Sequence, residues 1–252
     1  FRDPLPDGRW SFDQSGAPIV KKTVNLEVDL AIADADTSKP RVPVIYGHGL
    51  GGDKGGNWGT AERLRDINAA VFAIDSPYHG SRAAMPDDKL GAVFRFFGID
   101  PNDNNSFVIG RARDNFRQIA SDHLHLVKLI MSLDKLDILP VGAPDGIPDF
   151  DTSKIVYIGH SFGSVQGPLV FALAPEIKQA VWNVGGAGLM TLLRDSNLFS
   201  ILLKGLKPSN MPDGAVGRFL AVGQAIVDPG DPLNFARYGT IEGLPGVVGW
   251  SG

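Results

Sequence analysis

The sequence contains no cysteine among its 252 residues. This absence excludes a disulfide framework, a thiolate nucleophile and a cysteine metal cluster, so nucleophilic chemistry would have to use another side chain. It also removes the usual indicator of the redox compartment. Histidine is scarce as well, with five copies, and this scarcity limits the choice of a general base.

Long apolar runs and an excess of positive charge are also missing. No stretch of about 18 apolar residues is present, so the sequence predicts no membrane-spanning helix. The net charge is −4, with 24 basic and 28 acidic residues, which gives no electrostatic footprint for nucleic acid. With 43% apolar residues, a chain of this length can form one large domain with a full core. We therefore expect a single soluble domain over residues 1–252, without nucleic acid as a partner.

The most informative stretch covers residues 155–164. Its first four residues are apolar and rich in β-branching, which predicts a buried strand of a parallel sheet. They lead directly into a Gly-x-Ser-x-Gly motif, Gly159-His160-Ser161-Phe162-Gly163. Glycines at this spacing let neighbouring backbone pass a serine that is held at a sharp turn between strand and helix. We interpret Ser161 as a nucleophile; the alternative is a chance match in a chain with 31 glycines.

A second glycine-rich motif follows a predicted strand at residues 42–46. It reads Gly47-His48-Gly49-Leu50-Gly51-Gly52. In an esterase this motif would place the amide of Leu50 beside the serine, where it shares an oxyanion with the amide of Phe162. In a dinucleotide-binding protein the same letters fit Gly-x-Gly-x-x-Gly, with Asp75 as the ribose-binding carboxylate. A structural glycine turn is the third interpretation. Helix signals begin only near Thr60, which favours the esterase.

Periodicity places these motifs in an α/β sheet. Alternation of apolar and polar residues from Val24 to Ile32 predicts a half-exposed antiparallel edge strand, whereas the continuous apolar run at 42–46 predicts a central strand. We predict two further strands, residues 70–74 and a buried strand at 179–184, and helices at residues 60–68, 111–136 and 164–173. The fold class is therefore α/β, with a mostly parallel sheet flanked by helices.

Two groups of histidines have other interpretations. His79 follows the strand at 70–74, at the sheet edge where open α/β sheets place their ligands. It is a candidate lining residue, although a turn histidine bonded to backbone is the favoured interpretation. His123 and His125 lie two residues apart on a helix and point in different directions, so we predict no metal site, with one of the two buried or at an interface. No cofactor is indicated.

Two apolar groups are candidates for substrate contact. The aromatic residues Phe94, Phe96, Phe97 and Phe107 form either an acyl pocket or, as we favour, ordinary packing. Residues 189–212 are apolar and helix-like in pieces, so they are a candidate cap or lid that contacts lipid; ordinary packing explains them equally well.

The chain has no histidine after Ser161. A serine hydroxyl needs a base within hydrogen-bond reach, usually a histidine that a carboxylate orients. In an α/β-hydrolase the acid and then the histidine follow the nucleophile in sequence. All five histidines here precede it, namely His48, His79, His123, His125 and His160. We therefore expect that the sequence is truncated at both ends, lacks its last strands and turns over little ester by itself.

Four stretches together resemble α/β-hydrolases, especially bacterial extracellular, virulence-factor-type lipases and esterases. They are residues 47–52, 75–80, 159–163 and 228–236. The resemblance implies Ser161 as nucleophile, with oxyanion amides at Leu50 and Phe162. It also implies an acid and a histidine from later strands, and Asp228 and Asp231 are candidates for the acid.

The resemblance implies a carboxylic-ester hydrolase that forms an acyl-enzyme with an ester or lipid substrate. It also implies an extracellular or cell-envelope location. Two rival functions remain open from the residues themselves. One is an NAD-binding oxidoreductase that uses residues 47–52 and Asp75, and the other is a catalytically silent binding protein with the hydrolase fold.

Overall fold

The structure is a computed structural model that describes residues 9–33, 36, 38–85, 87–100, 108–141, 143–197, 200 and 211–238. Five strands and six α-helices lie in these ranges. The strands are β1 (Val28–Ile32), β2 (Val42–Gly47), β3 (Ala69–Ile74), β4 (Ile155–His160) and β5 (Ile177–Asn183). The helices are α1 (Asn57–Arg63), α2 (Lys89–Phe96), α3 (Ile109–Met131), α4 (Phe162–Leu173), α5 (Leu189–Asp195) and α6 (Val216–Val227).

The strands form one mixed sheet in the order β1-β3-β2-β4-β5. Strands β2 to β5 pair in parallel, and β1 pairs antiparallel with β3, with Val28 opposite Ile74. The predicted antiparallel edge strand and central strand are both confirmed, although β1 begins at Val28 rather than Val24. All six residues of β3 are buried, as expected for a parallel strand with both faces covered.

The strand predicted at residues 179–184 is present as β5, but the prediction that it is buried is wrong. Strand β5 exposes Lys178, Gln179, Val181 and Asn183. The physical reason is its position: β5 pairs with β4 on one side, and no strand in the described ranges pairs with its other side. The short apolar stretch at residues 180–182 therefore did not show how little of this strand the fold covers.

Side chains on the two faces of the sheet form two separate cores. On one face, Ile45, Phe72 and Tyr157 belong to a large cluster with residues of α2, α3 and α4. On the other face, Val44 and Val71 pack with Ala61 of α1 in a small cluster. This split follows from the alternation of side chains along each strand. Burial of each large apolar side chain contributes about 2 kcal/mol.

Helix boundaries differ from the predicted ones by a few residues. Helix α1 begins at Asn57, not Thr60, and a 3₁₀ turn at Arg65–Ile67 ends at Asn68, whose φ of 54° is incompatible with a helix. Helix α3 ends at Met131 and not at residue 136. No helix in the described part of the chain has the length and apolar character needed to cross a membrane.

Candidate active site

Ser161 occupies a sharp turn between a strand and a helix. Strand β4 ends at His160 and α4 begins at Phe162. Ser161 itself has φ 51° and ψ −110°, a region that non-glycine residues rarely adopt and that costs about 1–3 kcal/mol. Strained backbone of this kind persists only where the surroundings enforce it, and it concentrates at functional sites.

The glycines of the motif are required by close backbone contacts. A Cβ atom on Gly163 would overlap the carbonyl group of Gly47 at the end of β2. A Cβ atom on Gly159 would lie 2.5 Å from the carbonyl oxygen of Gly163. The absence of side chains therefore lets α4 begin directly against β4 and β2, which forces the turn at Ser161.

The residues after β2 form a β-turn beside the serine. The amide of Gly52 donates to the carbonyl of Gly49 at 3.0 Å, and Gly51 has φ 72°, as in a type II turn. Leu50 is the second residue of this turn, so its amide takes no part in the closing hydrogen bond. A Cβ atom on Gly49 would lie 3.8 Å from the Cβ of Ser161, which places the turn against the serine.

Two backbone amides beside Ser161 remain available as hydrogen-bond donors. Among the hydrogen bonds of the described residues, none uses the amide of Leu50 or of Phe162. Phe162 is the first residue of α4, where helical amides lack intrahelical partners and carry partial positive charge. The arrangement is therefore suited to a negatively charged oxygen at Ser161.

His48 supports the β-turn from inside the protein. The imidazole is buried, and its Nε2 accepts from the amide of Ser76 at 3.0 Å. Since Nε2 is an acceptor, Nδ1 carries the proton and donates to the carbonyl of Gly49 at 2.9 Å. Burial lowers the pKa of His48. Both ring nitrogens are thus occupied by backbone, so His48 positions the turn and is not a base.

The other histidines do not serve as a base for Ser161 either. His79, His123 and His125 each use Nδ1 on a backbone carbonyl, as favoured for His79 from the sequence. His123 is buried and His125 exposed, which confirms that one of the pair is buried. In the described part of the chain no histidine forms a hydrogen bond with the Ser161 hydroxyl.

His160 lies at the exposed rim of the site. Its Nδ1 is 3.0 Å from the side-chain nitrogen of Asn183 at the end of β5. The carbonyl of Asn183 accepts from the amide of Ser161 at 2.8 Å and from the Ser164 hydroxyl at 2.9 Å. The end of β5 is therefore held against the serine turn by three hydrogen bonds. This contact was not predicted, because the partners are 19 or more residues apart.

Asp75 is a structural carboxylate. It accepts from the amide and the ammonium of Lys54, at 2.7 and 2.9 Å, and from the amide and hydroxyl of Ser81, at 2.8 and 2.9 Å. Although its burial opposes the change, these bonds lower the pKa of Asp75. With its lone pairs used inside the protein, Asp75 is not available to a ribose. The helix that would follow a dinucleotide fingerprint begins only at Asn57, so the geometry disfavours the oxidoreductase interpretation.

The two acid candidates have different environments. Asp231 is fully buried and accepts from the amides of Gly188, Leu189 and Leu233 at 2.6–3.0 Å. It therefore caps the start of α5. Asp228 is partly exposed and accepts from the side chain of Gln224 at 2.7 Å, an amide that also donates to Asp231. Neither aspartate bonds a histidine among the described residues.

The described apolar candidates lie in the core or, as for Phe94 and Leu192, pack partly buried against it. Phe96 and Phe97 are buried, and Phe96 packs edge-on against Phe162 at 5.0 Å between ring centroids. In α5, Leu189, Met190 and Leu193 are buried. Phe107 and residues 198–199 and 201–210 of the predicted cap lie outside the described residues. The described residues contain no cluster of three potential metal ligands.

Comparisons with known proteins agree with this fold. A scan against family models finds no match, and a search of curated proteins finds none. Among solved structures, an acetyl xylan esterase from Paenibacillus sp. R4 has a TM-score of 0.51 at 15% identity, over 90% of this chain and 63% of that one. The Pyrococcus horikoshii acylaminoacyl peptidase has a TM-score of 0.48 at 12% identity, over 86% of this chain and 29% of that one.

The sheet order, the flanking helices and the first of these likenesses define the fold. The chain has an α/β-hydrolase-type fold, as the sequence motifs predict. It spans less than two thirds of the length of each of these two structures. At such low identity the likeness concerns the fold, so the function has to be argued from the site.

Proposed function

We propose that this protein is a carboxylic-ester hydrolase that works through an acyl-enzyme on Ser161. One observation carries the proposal: a serine with φ 51° and ψ −110° between a parallel strand and a helix, facing a glycine turn. The acetyl xylan esterase name of the structural neighbour supports an ester as the substrate class.

The mechanism follows from the backbone around the serine. The Ser161 hydroxyl oxygen attacks the ester carbonyl carbon, and the carbonyl oxygen becomes negatively charged. The amides of Leu50 and Phe162 donate to this oxygen, and loss of one such donor typically costs about 3 kcal/mol in the transition state. The carbonyl re-forms as the C–O bond to the alcohol breaks, and the proton taken from Ser161 passes through the base to the leaving oxygen. Water then attacks the acyl-serine in the same way, which releases the acid and restores the Ser161 hydroxyl.

The serine proton needs an acceptor that the described histidines do not provide. The full mechanism therefore needs a base for Ser161 that none of the five histidines of this sequence supplies. An oxyanion hole and binding alone leave a residual acceleration of about 10³ to 10⁴ over water in serine hydrolases without a working triad. We expect the 252-residue chain to show only this residual turnover.

The described part of the predicted cap supports small soluble esters over lipid. Leu189, Met190 and Leu193 of α5 are buried, so these three side chains of the predicted cap offer no surface to lipid. We propose that soluble short-chain esters are turned over faster than emulsified triacylglycerol. Parallel assays that measure the turnover of a soluble short-chain ester and of emulsified triacylglycerol test this preference.

The experiment measures p-nitrophenyl acetate hydrolysis by the protein expressed from its complete reading frame. Ser161→Ala should lower kcat by at least about 10³-fold, because it removes the nucleophile. The control is Ser132→Ala, which changes an exposed serine at the end of α3 and should leave kcat unchanged. Turnover by Ser161→Ala that equals the parent's would exclude the proposed function.

A further inference from the structure

We propose that His79 is a positioning residue of the oxyanion hole, because its ring lies between the side chains of Phe162 and His48 and holds the two backbone segments that bear the donor amides. This inference rests on the proposed function. It concerns a histidine that the mechanism above does not use as a base or an acid.

The ring of His79 contacts both sides of the site. It stacks on Phe162 with 5.5 Å between ring centroids and an interplanar angle of 18°. Its centroid is 5.2 Å from that of His48, and Phe96 packs against it edge-on at 5.9 Å. The side chain is 2% exposed, so these rings surround it and exclude water.

The ring contacts of His79 with Phe162 and His48 each involve a residue that bears or supports one donor amide. Phe162 bears one of them and is the first residue of α4. His48 donates to the carbonyl of Gly49, the residue before Leu50, which bears the other. Displacement of the His79 ring would therefore loosen both supports together. A displacement of about 1 Å in a catalytic group can cost roughly 10²-fold in rate.

The loop that presents His79 is itself tightly restrained. The neighbouring residues Tyr78 and Gly80 have φ values of 65° and 51°. A Cβ atom on Gly80 would overlap the buried carboxylate of Asp75. The Nδ1 of His79 also donates to the carbonyl of Pro77 at 2.8 Å, a hydrogen bond within the loop itself. Strained residues on both sides of a buried ring indicate that its position is enforced.

The ring, and not its charge, supplies the effect. The Nε2 of His79 has no hydrogen-bond partner among the described residues. Burial lowers the pKa of His79 to about 4, so the imidazole is neutral near pH 7. A phenylalanine at this position preserves a flat ring of similar size. An alanine leaves a gap beside both Phe162 and His48.

The experiment compares kcat and KM for p-nitrophenyl acetate in variants of the protein expressed from its complete reading frame. His79→Ala should lower kcat by about 10- to 100-fold, with a change in KM below about threefold. His79→Phe should keep kcat within about threefold of the parent. His79→Leu fills volume without a flat ring, should lower kcat as alanine does, and decides the question if His79→Ala does not fold.

A second buried aromatic residue separates positioning from general stability. Phe150 is 3% exposed and packs against Phe72, away from the serine turn. Phe150→Ala should lower the Tm and leave the kcat of the folded protein unchanged. The inference is overturned if the folded alanine and leucine variants keep the parent kcat, or if folded His79→Phe loses activity as they do. If Ser161→Ala keeps full activity, the proposed function has failed instead.

Discussion

At the scale of single residues, the conformation of Ser161 follows from its glycine neighbours. Gly47, Gly159 and Gly163 come from two strands and a helix, and each has backbone or side-chain atoms where a Cβ would be. This requirement is local in sequence for Gly159 and Gly163, so the turn was predictable from the motif. The roles of His48 and Asp75 were not, because the bond from Ser76 to His48 spans 28 residues and the bond from Lys54 to Asp75 spans 21, and no pattern links these partners.

Gly163→Ala tests whether the close approach of helix and sheet holds the serine turn. The new Cβ would overlap the Gly47 carbonyl, so α4 must move away from β2. We expect a loss of about 1–3 kcal/mol in the free energy of unfolding and a loss of ester turnover. Urea denaturation and a p-nitrophenyl acetate assay measure both.

Gly217→Ala is the matched control for this substitution. Its Cβ would have no atom within 4 Å, and alanine in a helix is favoured by up to about 1 kcal/mol over glycine. The control should therefore keep activity and show equal or higher stability. If Gly163→Ala behaves like Gly217→Ala, the steric explanation of the turn is wrong.

At the scale of elements, the type of each strand was predictable but its neighbours were not. The alternation in β1 and the continuous apolar runs of β2 and β3 reflect how many faces each strand buries. Strand β5 has the shorter apolar stretch Ala180-Val181-Trp182 and exposes Val181, because burial depends on what covers the strand. Periodicity likewise did not predict helix ends that the backbone conformation of a single residue sets. An example is Asn68, which ends the 3₁₀ turn after α1.

Asp231→Ala tests the connection between α5 and the segment after α6. Removal of the carboxylate would leave the amides of Gly188 and Leu189 without their acceptor in a buried place, at about 2–4 kcal/mol in total, and would remove the part-buried bond from Leu233. Urea denaturation should show this loss. Asp228→Ala removes a partly exposed carboxylate with one side-chain donor and should cost less than about 1 kcal/mol.

The same pair separates the two acid candidates. If Asp228 orients the base, Asp228→Ala lowers kcat in the complete protein while stability stays near that of the parent. A stability loss in Asp228→Ala that equals the loss in Asp231→Ala would contradict the assignment of Asp231 as the carboxylate that connects α5 to the segment after α6.

At the scale of the whole molecule, buried histidines predict a loss of stability in acid. Burial lowers the pKa values of His79 and His123 to about 4, whereas an unfolded imidazole titrates near about 6.5. Between these values the unfolded chain binds more protons than the folded chain. The free energy of unfolding is therefore highest above about pH 6.5 and falls towards pH 4, by up to about 1.4 kcal/mol per pH unit for each group.

Urea denaturation at about pH 7 and about pH 5 measures this dependence. His123→Phe should reduce it, because one buried imidazole is removed. His125→Gln replaces an exposed histidine on the same helix and should change it little. A stability that stays constant or rises between pH 7 and pH 5 would contradict the assignment of neutral buried rings.

The fold and the serine turn were predictable because both depend on short patterns of apolar residues and glycines. The complete catalytic apparatus was not, since the base that Ser161 needs has no counterpart among the five histidines of this sequence. The geometry shows this directly: four histidines bond backbone carbonyls and the fifth lies beside Asn183.

The central claim is that Ser161 becomes acylated by an ester. The most direct measurement is mass spectrometry of peptides from the protein of the complete reading frame, quenched in acid during p-nitrophenyl acetate turnover. We expect an acetyl group on the peptide that contains Ser161, and none on that peptide in Ser161→Ala. Turnover without an acetylated Ser161, or with acetylation confined to another residue, would contradict the proposal.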